Sequence, residues 1–264
     1  MPASTNLLAV ALGNSRLRLG TFVDGKLAET NAQPLGNPPD LTAHFAEAIT
    51  QAYQPIKGRD GATILLTSTN PAATPQAEQL ITQTLGQPFH RVEVDVNIPL
   101  GRQLDREALV GEDRLLNAAA AYDVLQQACM VIDAGTAITL DFVDGAGTFH
   151  GGAIAPGAQL MLDALDRRFP QLPPTDFARP DEPIGHNTPQ AMLSGTFHGL
   201  RGMARELLEQ FADATGQFPL VVATGGDADL LFREWDLIDR VVPDLTLMGL
   251  QLTARKAAEQ AEEA

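Results

Sequence analysis

One cysteine in 264 residues leaves no partner for an intrachain disulfide and no cysteine cluster for zinc. Cys129 therefore reads as a small buried apolar residue, and a reducing compartment fits. Basic residues are also scarce. Eighteen Lys and Arg against 33 Asp and Glu give a net charge of −15, and no segregated basic patch stands out, so a phosphate backbone would be repelled. Nucleic acid is not an expected partner. No stretch approaches the roughly 20 apolar residues needed to span a bilayer, and the first residues lack the basic then apolar order of a signal peptide. A cytoplasmic protein without a membrane partner is expected. What remains is ample hydrophobic content, 44%, enough for one large domain or two half-size ones.

The chain repeats itself. Residues 8–25 read LAVALGNSRLRLGTFVDG and residues 130–145 read MVIDAGTAITLDFVDG. Both have an apolar run, a Gly followed by a small polar residue, a second strand-like run and a Phe-Val-Asp-Gly turn. Gly13 aligns with Gly135 at an offset of 122, and Phe22 with Phe142 at 120, so the first hairpin is expected to be two residues longer. Each copy opens a half-molecule, 1–120 and 121–264, unless two unrelated hairpins simply look alike. In the first half, 39–53 and 75–85 have helical spacing, 62–68 is β-rich and 89–96 alternates like a strand. In the second, 157–169, 188–215 and 247–261 read as helices and 220–223 as a buried strand. Residues 115–127 would be a helix leading between the halves, and 170–183 a Pro-rich loop. Strands alternating with helices indicate an α/β fold.

A tight turn of Gly with Asn, Ser or Thr exposes backbone N–H groups and a short polar side chain to phosphate. Gly13, Asn14, Ser15 and Arg16 form one such candidate. Gly135 and Thr136 form another, preceded by Asp133 at a strand end, where a carboxylate can hold a cation. Two such turns facing across a cleft would clamp a polyphosphate, although each alone is an ordinary turn sequence. Gly225 and Gly226 follow an apolar strand and either admit a flat ring such as adenine or make a plain strand-to-helix turn. Gly111, Glu112, Asp113 and Arg114 begin a helix. The two acids either complement its dipole or place Asp113 to take a proton from a hydroxyl, while Arg114 pairs with a carboxylate. Thr188 stands at or near an N-cap with Pro189 at N1, and either caps the helix or offers its hydroxyl to a ligand. His186 lacks metal-ligand spacing. Asp141 and Asp144 are not expected to join Asp133 in a metal cluster.

In order along the chain stand GNS, GEDR before an AAAAY run, DAGTAIT, GGAIAPG, IGHNT and ATGG. Together, across 7–252, they resemble the type III pantothenate kinases. The resemblance implies a pair of ribonuclease H-like halves of the actin-like ATPase and sugar kinase type, with a nucleotide cleft between them. It also implies phosphoryl transfer from ATP, with Mg2+, to pantothenate at the start of coenzyme A synthesis. By the same resemblance Asp113 is the general base, residues 111–114 and Thr188 bind pantothenate, and Thr136 contacts ATP. Asp133 would hold a monovalent cation such as K+ or NH4+, and the chain would form a homodimer.

Two departures stand out. The pattern DxGNT has Ala11 in place of its Asp, opposite Asp133 in the repeat, with no acidic residue nearby in sequence. The aromatic residue often found upstream of GxDR is missing from 96–103. The first departure raises the alternative of a non-catalytic regulator like the Bvg accessory factors, and the second that of a kinase for another hydroxy acid.

Overall fold

The first apolar run folds as β1 (Asn6–Leu12), every residue of it buried. In the computed structural model, which describes residues 6–36, 41 and 43–263, the chain divides into two units. One holds the chain through Pro99, Leu109–Ala120 and the stretch from Leu245; the other holds Leu100–Ala108 and Ala121–Asp244. The units thus interleave in sequence, where halves of 1–120 and 121–264 were expected.

In the first unit β1 pairs antiparallel with β2 (Arg16–Val23), and β2 with β3 (Lys26–Pro34). On its other edge β1 pairs parallel with β4 (Ala62–Ser68), and β4 with β5 (His90–Arg91). Alternation sends Leu8, Val10 and Leu12 to one face, against Phe45 and Ile49 of α1 (Ala43–Tyr53) and Ala77 and Ile81 of α2 (Thr74–Leu85). Each fully buried Leu or Ile there contributes roughly 1.5–3 kcal/mol. The other face takes the closing helix (Leu245–Glu263), and α3 (Glu112–Leu125) packs against that helix. At Gly249 a Cβ would strike the carbonyl oxygen of Leu116, and Thr246 Oγ1 donates to Asn117 Oδ1 at 2.8 Å with both residues buried. That lock assigns the closing helix to the first unit.

The second unit repeats the plan with β7 (Cys129–Ala134), β8 (Ala137–Val143), β9 (Thr148–Pro156), β10 (Leu220–Thr224) and β11 (Arg240–Val241). The first sheet runs β3-β2-β1-β4-β5, and the second contains β9-β8-β7-β10-β11 with the same directions. This is the ribonuclease H-like order, twice. A short β6 (Gly101–Arg102) adds parallel to β9, which draws Leu100–Ala108 into the second unit. Met130, Ile132 and Ala134 meet α4 (Ala158–Arg168), α5 (Thr188–Thr215) and α6 (Ala228–Phe232) in one core. Cys129 is buried, and desolvation pushes its thiol to about 12. No helix among the described residues is long and apolar enough to cross a membrane.

Register corrects the repeat. Leu12 pairs with Leu17 and Ala134 with Ile138, so the first turn is one residue longer, not two. The same offset of 121 relates the irregularities at Thr21/Phe22 and Phe142/Val143. The two Phe-Val-Asp-Gly runs are therefore one residue out of spatial step, and their turns differ. Asp24 and Gly25 both take positive φ, 50° and 76°, as a tight hairpin requires. Asp144 Oδ1 instead accepts from the N–H groups of Ala146 and Thr148 at 2.9 Å, with Gly147 at φ 81°. The strand expected over 89–96 is only His90–Arg91, because the chain turns back at Glu93, φ 60°. Of the helical pattern at 39–53, positions 39, 40 and 42 lie outside the described residues.

Candidate functional site

In the first unit Gly13 closes the β1–β2 turn by donating its N–H to the Arg16 carbonyl at 2.9 Å. A Cβ on Gly13 would stand 3.1 Å from that oxygen, so the turn favours glycine. Thr69 N–H donates to the Leu12 carbonyl at 3.0 Å, which ties the turn to the end of β4. Asn14, Ser15 and Arg16 are exposed on its rim. Ala11 lies under it, buried, between Arg18 on β2 and Thr67 on β4.

Gly111 precedes α3, and Glu112, Asp113 and Arg114 form its first turn. Asp113 folds back over Gly111: its Oδ1 lies 2.5 Å from where a Gly111 Cβ would stand and accepts the Arg114 N–H at 2.9 Å. Any side chain at 111 would evict that carboxylate. Burial raises the Asp113 pKa above the ordinary carboxylate value, with the Arg114 N–H bond and guanidinium charge offsetting part of the rise. A raised carboxylate is a stronger base than a free one at the same position. Glu112 turns away from Asp113. Its Oε2 accepts from Thr67 Oγ1 at 2.5 Å and from Ser68 N–H at 3.2 Å.

In the second unit Asp133 occupies the register place that Ala11 holds in the first, between Thr139 and Thr224. Gly225 has φ 97°, and a Cβ there would strike the Ala134 carbonyl and stand 2.5 Å from Asp133 Oδ1. The strand-to-helix glycine and the Asp133 carboxylate are thus packed together. Thr139 buries an Oγ1 that has no hydrogen-bond partner, directly across the ladder from Asp133. A carboxylate beside an orphaned hydroxyl oxygen fits a hard cation. Gly135 donates its N–H to the Ala137 carbonyl at 3.0 Å, while Thr136 and Gly226 are exposed. Gly157 donates to the Thr136 carbonyl at 3.0 Å, and a Cβ on it would collide with the Gly135 carbonyl. Gly157 is therefore the floor of this turn. Its only trace in the sequence is the last letter of GGAIAPG.

The cap of α5 is Asn187, whose Oδ1 accepts the Gln190 N–H at 3.0 Å; Thr188 is the first helical residue, which places Pro189 beyond N1. The capping role considered for Thr188 is filled by its neighbour. Thr188 instead borders an open cavity of about 620 Å³ whose other walls include Met161, Leu165, Leu172 and Met192. His186 pairs with Glu182 at 3.2 Å in an exposed loop. Asp141 is buried, and Asp144 is used in its turn. Among the described residues no three His, Cys, Asp or Glu gather into a metal site.

A family model described as type III pantothenate kinase matches residues 7–210. A type III pantothenate kinase of Rhodospirillum centenum is 36% identical over 259 residues, covering 96% of this chain and 99% of that protein. In fold, a Campylobacter jejuni protein assigned to the Baf family of transcriptional activators aligns with TM-score 0.61 at 19% identity, over 96% of this chain and 99% of its own. Component A of (R)-2-hydroxyglutaryl-CoA dehydratase from Acidaminococcus fermentans aligns with TM-score 0.59 at 15% identity, over 98% and 100%. At such identities the last two speak for the duplicated fold alone. The family match and the 36% identity across nearly both whole chains carry more: this chain belongs to the type III pantothenate kinase family.

Proposed function

We infer that the chain transfers the γ-phosphoryl group of ATP to the terminal hydroxyl of pantothenate, yielding 4'-phosphopantothenate at the start of coenzyme A synthesis. The observation that carries this beyond family membership is Asp113, a carboxylate at a helix start whose pKa burial has raised. Asp113 accepts the hydroxyl proton, the freed oxygen attacks the γ-phosphorus, and ADP leaves with the electron pair of the broken P–O bond. Arg114 pairs with the pantothenate carboxylate. The Gly111 backbone lines the same ligand, and Thr188 offers it a hydroxyl. Glu112 contributes through the anchor it makes to β4.

Gly13, Asn14, Ser15 and Arg16 in one turn, and Thr136 in the other, present N–H groups and hydroxyls to the triphosphate. Gly225 and Gly226 leave a flat backbone for the adenine. When bound with ATP, Mg2+ supplies charge neutralisation at the phosphate oxygens. Asp133, with the orphaned Thr139 hydroxyl beside it, would hold a monovalent cation. The same reading includes a homodimer working in the cytoplasm. A regulator without turnover is not favoured, since the relatives are named as kinases.

The test is ADP release from ATP, Mg2+ and K+ that depends on added pantothenate. Asp113→Asn should lower turnover by roughly a hundredfold to ten-thousandfold. Turnover should also fall as pH drops through the Asp113 pKa, which burial raises above that of a free Asp. An unchanged rate in the Asn variant would remove Asp113 from the chemistry.

A further inference from the structure

The second unit is a template for what the first lacks. Asp133 sits one residue before the end of β7, flanked in register by Thr139 and Thr224. Ala11 sits one residue before the end of β1, flanked by Arg18 and Thr67. Thr67 and Thr224 are therefore counterparts, and the carboxylate between the flanking residues is present in one copy and absent in the other. A methyl group cannot hold a cation, and neighbouring positions in the sequence offer no acid.

The fold brings one from 101 residues away. Glu112 Oε2 accepts from Thr67 Oγ1 and from Ser68 N–H. Thr67 is the direct ladder neighbour of Ala11, and adjacent strands lie only about 4.8 Å apart. Both side chains face away from the α1/α2 core that Val10 and Leu66 join. The Glu112 carboxylate thus stands beside the place that an acid at position 11 would serve.

Two features separate it from an ordinary acid in a helix first turn. Its side chain is only 16% exposed. Its second oxygen, Oε1, accepts no hydrogen bond among the described residues and meets only a loose ion pair, with the Arg91 guanidinium at 3.9 Å. A largely buried carboxylate oxygen held by one long ion pair and no hydrogen bond keeps lone pairs for a ligand that brings its own positive charge or donors. Hydrated magnesium, which keeps several waters and takes one or two protein carboxylates alongside substrate phosphates, is such a ligand.

We propose that Glu112 supplies, from the start of α3, the magnesium-facing carboxylate that Ala11 has lost, so that the first phosphate turn keeps its acid by moving it to another element. This rests on the phosphoryl-transfer reading and adds to it a role for Glu112 distinct from pantothenate binding.

The experiment compares the unaltered chain, Glu112→Gln, and Glu112→Gln combined with Ala11→Asp. The glutamine oxygen can still accept from Thr67 and Ser68, so the anchor of α3 survives while the charge is lost. Mn2+ bound in the presence of a non-hydrolysable ATP analogue is read by electron paramagnetic resonance, and the Mg2+ dependence of turnover is read alongside. Glu112→Gln should weaken Mn2+ binding and raise the half-saturating Mg2+ concentration at least tenfold, and Ala11→Asp should restore both at least in part. Unchanged metal dependence in Glu112→Gln overturns the proposal. So does a loss that Ala11→Asp fails to rescue, which would mean that the Glu112 charge acts elsewhere than at the place position 11 serves, and so does an unaltered chain that binds no Mn2+ with nucleotide. Metal-dependent nucleotide binding without phosphorylation of pantothenate would instead overturn the assigned substrate while leaving Glu112 in place.

Discussion

Replacing Gly157 with Ala tests how the turn at Gly135 and Thr136, proposed to hold phosphate, is supported. Gly157 has φ −71° and ψ 171°, a backbone open to any residue, so only space requires glycine. An added Cβ would collide with the Gly135 carbonyl and stand 2.6 Å from the Thr136 oxygen and 2.9 Å from the Thr136 carbonyl carbon. Relief demands that the turn or the start of α4 retreat by roughly 1 Å, to where carbon and oxygen no longer repel. Overpacking of this kind costs about 1–3 kcal/mol. Losing glycine's freedom in the unfolded chain returns about 0.4–1 kcal/mol. A net loss of about 0.5–2 kcal/mol follows, a fall of a few degrees in Tm for a chain of this size. The same displacement moves the N–H groups and the Thr136 hydroxyl that the proposed function assigns to phosphate, where about 1 Å can cost a hundredfold in rate. Thermal unfolding followed by circular dichroism, paired with turnover against ATP concentration, reads both effects. An alanine variant with unchanged Tm and unchanged KM for ATP would show that Gly157 does not support the turn.

Gly199 supplies the opposite case: it lies inside α5 and a Cβ there meets nothing within 4 Å. Gly199→Ala should raise stability by about 0.5–1 kcal/mol, read as a higher midpoint in urea, and a lower midpoint would contradict the open space described. Asp113→Asn should trade activity for stability. Because the folded pKa is raised, ionised Asp113 disfavours the fold above that pKa, so the Asn variant should melt higher at neutral pH. Its advantage should shrink as pH falls through the folded pKa towards the unfolded one, and an advantage independent of pH would contradict the burial argument.

The fold was legible where burial leaves a period or a cap leaves a letter. Ala62–Ser68 and Thr188–Thr215 fall where the β-rich run and the helical spacing place them, because one is a buried strand and the other alternates buried and exposed faces. The duplication was legible from two turns, and the strand orders bear it out. What stayed hidden was structure made by distant partners. β3 is an edge strand, largely exposed, so no apolar alternation marks it. β6 is two residues long and exists because β9 offers an edge. The closing helix joins the first unit through Gly249 against Leu116 and Thr246 against Asn117, contacts that no local pattern announces.

The candidate site divides in the same way. Gly13, Asp113, Asp133 and Gly225 could be read from turn chemistry and motif order, since tight turns and helix starts are local. The packing of Gly157 beneath Thr136, the orphaned hydroxyl of Thr139 beside Asp133 and the reach of Glu112 to β4 depend on strands meeting across long stretches of sequence. Asn187 took the capping place considered for Thr188 because either side chain can fill it and only the backbone path selects one.

The most direct measurement is phosphorus nuclear magnetic resonance of a reaction containing the unaltered chain, ATP, Mg2+, K+ and pantothenate. A new phosphomonoester resonance should grow in step with ADP, with mass spectrometry placing the phosphate on the terminal hydroxyl of pantothenate. ADP formed at the same rate without pantothenate, or no phosphomonoester at high enzyme concentration, would contradict it.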